Sequence, residues 1–243
     1  MPAPLTFIGL HYWAGSGSEF RALAQLLAPH HRVLAPDLPG FGAAPPSETD
    51  YSLDAYADHV AQFIAAQHLE RYALIGHSMG GKIGLALAAR QPPGLVGIAL
   101  LSPSPPGPEP MTAADRQQSQ QAYGKAEEAE KTFRKITARP LPEALHQQIL
   151  HDNLRTCQPA WNAWLLQGSQ EDIRDRMSRL RVPCLVMAGE RDSVLPPHVH
   201  LQHTLPLLPA RTPLEIIAGA GHLLPYEAPE QVAALLQAFS QRL

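Results

Sequence analysis

Gly76-His77-Ser78-Met79-Gly80 follows the apolar run Tyr72-Ala73-Leu74-Ile75 and opens the small-residue stretch Gly81-Lys82-Ile83-Gly84-Leu85-Ala86-Leu87-Ala88-Ala89. A short apolar run without polar alternation reads as a buried strand, and the stretch after the motif reads as a helix packed close to it. In a G-x-S-x-G elbow the glycines on either side let the chain bend sharply and let strand and helix approach, so the Ser78 hydroxyl stands clear of the sheet. A structural Gly/Ser helix cap would explain the five residues alone, but not their place between strand and helix.

Outward from this motif, apolar runs of strand length recur at 5–10, 32–35, 72–76, 96–101, 183–188 and 212–217, with helix-length stretches at 18–27, 52–68, 78–90, 199–205 and 229–242. Strands that alternate with helices and stay apolar on both faces predict an α/β fold: a parallel sheet of about six strands, covered by helices on both faces. The first strand should lie inside the sheet and the strand at 32–35 at its edge, because right-handed crossovers then leave a crevice where the order of progression reverses. One segment breaks the alternation. From Pro103 to about Gly168 there is no strand-like run, only polar helical chain at 122–137 and 142–154 and the piece Trp161-Asn162-Ala163-Trp164. This predicts a core of residues 1–107 and 169–243 carrying a helical cap, 108–168, over the crevice. Glu127, Glu128, Glu130 and Lys131 read as its solvated face, while Trp161 and Trp164 share a helical side, either packed in a core or turned to a pocket.

The chain of 243 residues suits one α/β domain with a modest insertion, and its 19 basic and 22 acidic residues give a net charge of −3. That balance supplies no basic footprint for nucleic acid and no polybasic patch for a membrane, so the expected partner is a small molecule. Of the two cysteines, Cys184 lies in the strand-like run at 183–188, so a disulfide framework is not expected. The stretch from Met1 to Leu10 has no charged leader, and no apolar run approaches a membrane span; a cytoplasmic location is the expectation.

A serine hydroxyl needs a base within hydrogen-bond reach, and the base needs a third group to fix its tautomer. On a parallel sheet these partners should follow strands, as Ser78 does. Asp192, in Gly189-Glu190-Arg191-Asp192, and His222, in Gly219-Ala220-Gly221-His222, both qualify. Glu190 is the alternative acid, although it sits nearer the strand end. Asp37 follows the second strand and suits a turn. His198, His200 and His203 fall beyond the double proline Pro196-Pro197, and no acid or cysteine at ligand spacing completes a metal site, so no metal is expected. For the oxyanion, the backbone N–H of Met79 is one donor. The backbone N–H of Trp13, in the loop after the first strand, is the second. Tyr12, Trp161, Trp164, Leu195 and Leu223 are the candidate pocket residues.

With the elbow, the aspartate and the histidine in this order, the chain resembles the α/β-hydrolase superfamily over nearly its whole length, in particular the compact esterase, lactonase and cofactor-free haloperoxidase branch. Leu10-His11-Tyr12-Trp13 is similar to the family's His-Gly-aromatic oxyanion loop with Tyr12 in place of glycine, and Asp37-Leu38-Pro39-Gly40-Phe41-Gly42 matches its Asp-x-Pro-Gly-x-Gly turn. The chain departs from the family in lacking room before residue 5 for the usual opening hairpin, which implies six strands rather than eight. The resemblance implies an esterase without cofactor: Ser78 attacks, His222 transfers the proton, Asp192 orients His222, and an acyl-enzyme yields to water. Leu195, Leu223 and Leu224 beside the catalytic loops suit a small or medium acyl ester or a lactone. Two rivals remain: a carbon–carbon hydrolase or perhydrolase using the same triad, and a ligand receptor built on the fold. Arg155 or Arg191, if turned inward, would favour an acid substrate. Dehalogenase and epoxide hydrolase chemistry is disfavoured, because those families place aspartate where Ser78 stands.

Overall fold

The computed structural model describes residues 5–28 and 30–243, so Met1 to Pro4 of the N-terminal stretch lie outside the described residues. Six strands, β1 (Leu5–Leu10), β2 (His31–Leu34), β3 (Tyr72–His77), β4 (Leu95–Leu101), β5 (Cys184–Gly189) and β6 (Leu214–Ile217), form one sheet in the order β2-β1-β3-β4-β5-β6. Every neighbouring pair is parallel. The chain steps outward from β1 to β2, returns across β1 to β3 and continues to β6, so progression reverses once, between β1 and β3. A crevice opens there at the carboxyl ends of the strands. The first strand is inside and the second at the edge, as the pattern of runs predicts.

Alternate side chains along the strands feed two cores. Ile8, Leu10, Leu74, Ile98, Leu100 and Val186 pack with the buried faces of α2 (Leu53–Ala66) and α3 (Met79–Ala88). Phe7, Ala73, Ile75, Ala99, Leu101 and Met187 pack with those of α1 (Arg21–Leu27) and α10 (Pro229–Ser240). Helix α2 buries Leu53, Tyr56, Ala57, Val60 and Ile64 at i, i+3, i+4 spacing, and the Ser52 hydroxyl caps it by accepting from the Ala55 amide at 3.1 Å.

Helix α3 is buried at every residue, Lys82 included. Lys82 Nζ donates to the carbonyls of Gly107 (3.0 Å) and Ser169 (3.5 Å), and burial lowers its pKa to about 8. Those two carbonyls stand where the helical segment between β4 and β5 departs and returns. The Glu109 amide closes the same seam by donating to Ser169 O at 2.8 Å.

The segment carries α4 (Ala113–Gln121), α5 (Ala126–Ile136), α6 (Glu143–Arg155) and α7 (Gln158–Ala163), which runs into a π turn at Trp164–Gly168. The helix expected over 122–137 therefore begins four residues later, and α4 precedes it unanticipated. Gly124, at φ 69°, takes the left-handed conformation that separates the two. Helix α4 buries none of its residues, which is why no apolar period announces it. Beyond β5 come α8 (Pro197–Val199) and, before α10, α9 (Leu224–Glu227). No helix among the described residues is long and apolar enough to cross a membrane.

Candidate active site

Ser78 joins β3 to α3 at φ 50° and ψ −114°, a conformation that costs a non-glycine residue about 1–3 kcal/mol. Its neighbours hold it there: the Ser78 amide donates to Leu101 O (3.0 Å), and the Ser78 carbonyl accepts from the amides of Gly81 (2.9 Å) and Ser104 (3.0 Å). A Cβ on Gly80 would run into the carbonyls of Leu10 and His11, so only glycine lets the start of α3 press against the end of β1. That approach brings the loop from His11 to Trp13 beside the elbow. His11 Nε2 accepts from the Leu38 amide (3.0 Å) and Nδ1 donates to Tyr12 O (2.8 Å), while burial pushes its pKa down to about 4 and keeps it neutral. The left-handed residue of this loop is Ala14, at φ 63°, so Tyr12 stands in the glycine position without strain.

His222 Nδ1 donates to Asp192 Oδ2 at 2.8 Å, and both residues are buried. Asp192 Oδ1 accepts from the amides of Val194 (2.8 Å) and Leu195 (2.9 Å). Burial alone would raise the Asp192 pKa, but the facing His222 and the amide donors override it and hold the carboxyl well below the usual range. For His222, burial works to lower the pKa and Asp192 outweighs it, so the value is raised. The β5 and β6 loops meet because Gly189 lies so close to Gly221 O that a Cβ would collide with it. Glu190 accepts from the Gly219 amide at 2.8 Å instead of facing His222. Asp37 accepts from the amides of Gly17 and Ala43, both at 2.7 Å, in a turn.

Ser78 and His222 open into one cavity of about 250 Å³, whose wall includes Tyr12, Trp13, Trp161 and Trp164, with Phe133 and Ile136 from α5. The Trp13 and Trp161 rings lie 4.2 Å apart, centre to centre. Leu195 and Leu223 are not on this wall, which corrects the sequence expectation. Their backbones flank the site, but Leu223 packs with Tyr12, Ile149 and Tyr226, and Leu195 is buried while its neighbour Val194 reaches the cavity. Leu224 belongs to the core under α10.

Sequence reasoning missed three acids. The Glu227 carboxylate accepts from the amides of Ala138 (2.8 Å), Arg139 (2.8 Å), Gly221 (2.9 Å) and Leu223 (3.1 Å), bracketing His222 and tying its loop to the end of α5. The His222 amide adds a bond to Ile136 O at 2.8 Å. A lone acid in the apolar stretch Leu223-Leu224-Pro225-Tyr226-Glu227 was the available signal. Replacing Glu227 by Gln would turn an NH2 group toward at least one buried amide. We expect unfolding free energy to drop by about 2 kcal/mol and Tm by about 5 °C, read by thermal melting.

Glu19 lies beneath the histidine loop. His77 Nε2 must donate to the His222 carbonyl (2.9 Å), so its Nδ1 and Glu19 Oε2, 3.1 Å apart, share one proton. Glu109 is the third acid, and it stands on the cavity wall.

The model of the alpha/beta hydrolase family matches residues 9–235. The chain belongs to that family. It is 28% identical over 247 residues to a pimeloyl-[acyl-carrier protein] methyl ester esterase from Aeromonas hydrophila, covering 95% of this chain and 93% of that one. A 2-hydroxymuconate semialdehyde hydrolase from a Pseudomonas species is 39% identical over 85 residues, 35% of this chain and 29% of the relative. The chain thus spans about a third of the length of the curated relatives it matches at higher identity. An esterase from Exiguobacterium antarcticum shares the fold at a TM-score of 0.87 and 20% identity, covering 99% of this chain and 93% of that one.

Proposed function

We propose that the protein is a serine hydrolase that cleaves carboxylic esters with a small or medium acyl group, or lactones. The observation that carries this reading is His222, hydrogen-bonded to Asp192 and opening into one cavity with Ser78 on its elbow. Ser78 Oγ attacks the ester carbonyl while His222 Nε2 takes its proton. Asp192 holds the proton on Nδ1, leaving Nε2 free to accept. The oxyanion is received by the backbone N–H groups of Trp13 and Met79, neither of which donates to another protein group among the described residues. His222 then returns the proton to the leaving alcohol, and water releases the acyl group by the same relay. Residues 108–168 act as the cap that shapes the acyl site, since Trp161, Trp164 and Phe133 come from it.

The aromatic part of the wall, Trp13, Phe133, Trp161 and Trp164, supports an ester over a carbon–carbon substrate bearing an acid, and the two cations that do line the cavity, Lys131 and Lys135, are exposed. Arg155, one of the cations that would favour such an acid, instead pairs with Asp152 at 2.6 Å and lines a separate cleft; neither it nor Arg191 reaches the cavity. A panel of p-nitrophenyl esters of graded acyl length, run beside an acyl-lactone panel, tests the proposal. Turnover should peak within the short to medium chains. Binding without turnover of any ester or lactone would favour the receptor reading.

The pH dependence follows from the base. His222 accepts a proton only when neutral, and its pKa is held above 6.5, so kcat/KM should fall on the acid side with a midpoint above 6.5. A midpoint below that value would reassign the base.

A further inference from the structure

The acyl cavity contains a part-buried carboxyl group that the hydrolytic steps leave unused. Glu109 shares the wall with Ser78 and His222. Among the other charged side chains there, Lys131 is exposed and bonded, at 2.9 and 2.8 Å, to Glu127 and to Glu128, which is itself part-buried on the wall and has its charge matched by that bond, while Asp115 is exposed and bound to the Thr112 cap of α4. Lys135 is also exposed.

Glu109 is firmly set. It stands between Pro108 and Pro110, which fix their own backbone angles and restrict the residues before them. Its amide donates to Ser169 O at 2.8 Å, and its carbonyl accepts from the Met111 amide at 2.7 Å. Its surroundings supply some electrostatic compensation, from Lys82, His222 and Arg116. Burial outweighs them all and raises the carboxyl pKa. Two of those cations are committed elsewhere: Lys82 to the carbonyls of Gly107 and Ser169, and Arg116 to Leu165 O and Ser169 Oγ. A pocket that holds its own carboxylate at a cost will hold a second one worse.

We propose that Glu109 determines specificity by charge, admitting esters whose acyl group is neutral or ends in a hydrogen-bond donor and turning away acyl groups that end in a carboxylate. The inference rests on the ester-hydrolase reading above.

The test compares p-nitrophenyl valerate with mono-p-nitrophenyl glutarate, which match in chain length and differ in a terminal methyl against a terminal carboxylate. Active sites are titrated with a fluorophosphonate, so misfolded enzyme is not counted. Any apolar pocket favours the valerate somewhat, so the decisive quantity is the ratio of the two kcat/KM values across variants. We expect Glu109→Gln to shrink the wild-type ratio by about tenfold, the scale of one like-charge repulsion at partly buried separation. Glu109→Asp, which keeps the charge, should retain most of the ratio. An unchanged ratio in Glu109→Gln, or the same ratio shift in both variants, overturns the proposal and leaves the ester reading standing. If wild-type enzyme hydrolyses neither ester while Ser78 still reacts with the fluorophosphonate, the ester reading falls and takes this inference with it.

Discussion

Ser78→Ala is expected to abolish ester turnover, with a fall in kcat of about 10⁶-fold, while the protein stays folded. The loss is large because the hydroxyl is the attacking group, and no other hydroxyl on the cavity wall combines an elbow with a histidine. Ser119 and Thr132 also line the cavity, but Ser119 lies on α4 and Thr132 on α5. The fold should survive because Ser78 is held by its backbone. Its amide and carbonyl bond to Leu101, Gly81 and Ser104, and alanine keeps all three. Alanine at φ 50° carries the same strain as serine, so the change in stability should stay within about 1 kcal/mol. A fluorophosphonate should label Ser78 in the wild type and nothing in the variant. Residual turnover near wild type, or labelling of a different serine, would remove Ser78 from the mechanism.

What could be read in the sequence was what is written locally. The elbow, the Asp192 turn and the His222 turn each occupy a few consecutive residues at a strand end, and the β-strands are continuous apolar runs, so sheet order follows from the alternation and the crossover rule, while Asp192 and His222 are candidates by their places after strands and their order behind the elbow, with Glu190 as the alternative acid. The loop at Tyr12 was legible only in part. That the left-handed residue is Ala14 depends on how the chain leaves β1, which no pattern records. The polar helices between β4 and β5 were harder still, because a helix such as α4 that buries none of its residues has no apolar face to betray its limits. Supporting acids were invisible for another reason. Glu19 meets His77 across 58 residues, and Glu227 meets Ala138 across 89, and each looks like an ordinary charge until the fold brings its partner to it. Leu195 and Leu223 show the converse: being next to a catalytic loop in sequence sets where the backbone goes, while both side chains are buried off the cavity wall.

Asp192→Asn should cost about 10⁴-fold in kcat, the size of the corresponding effect in a serine protease, and Glu190→Gln should cost far less. The geometry explains the difference. Asp192 Oδ1 is occupied by the amides of Val194 and Leu195, so an asparagine keeps its carbonyl oxygen there and presents its NH2 group to His222. An NH2 group facing Nδ1 forces that nitrogen to accept, which moves the imidazole proton to Nε2. His222 then directs a donor at Ser78 and can no longer take the serine proton. Shape and packing are almost unchanged, so the loss should appear in kcat with little change in fold. Glu190, by contrast, receives only the Gly219 amide, and a glutamine oxygen can accept that bond as well as a carboxylate does. Steady-state kinetics of the two variants on one ester separate these cases. Equal losses would mean that His222 takes its orientation from the loop as a whole, through Glu227 and Ile136, rather than from the Asp192 carboxylate.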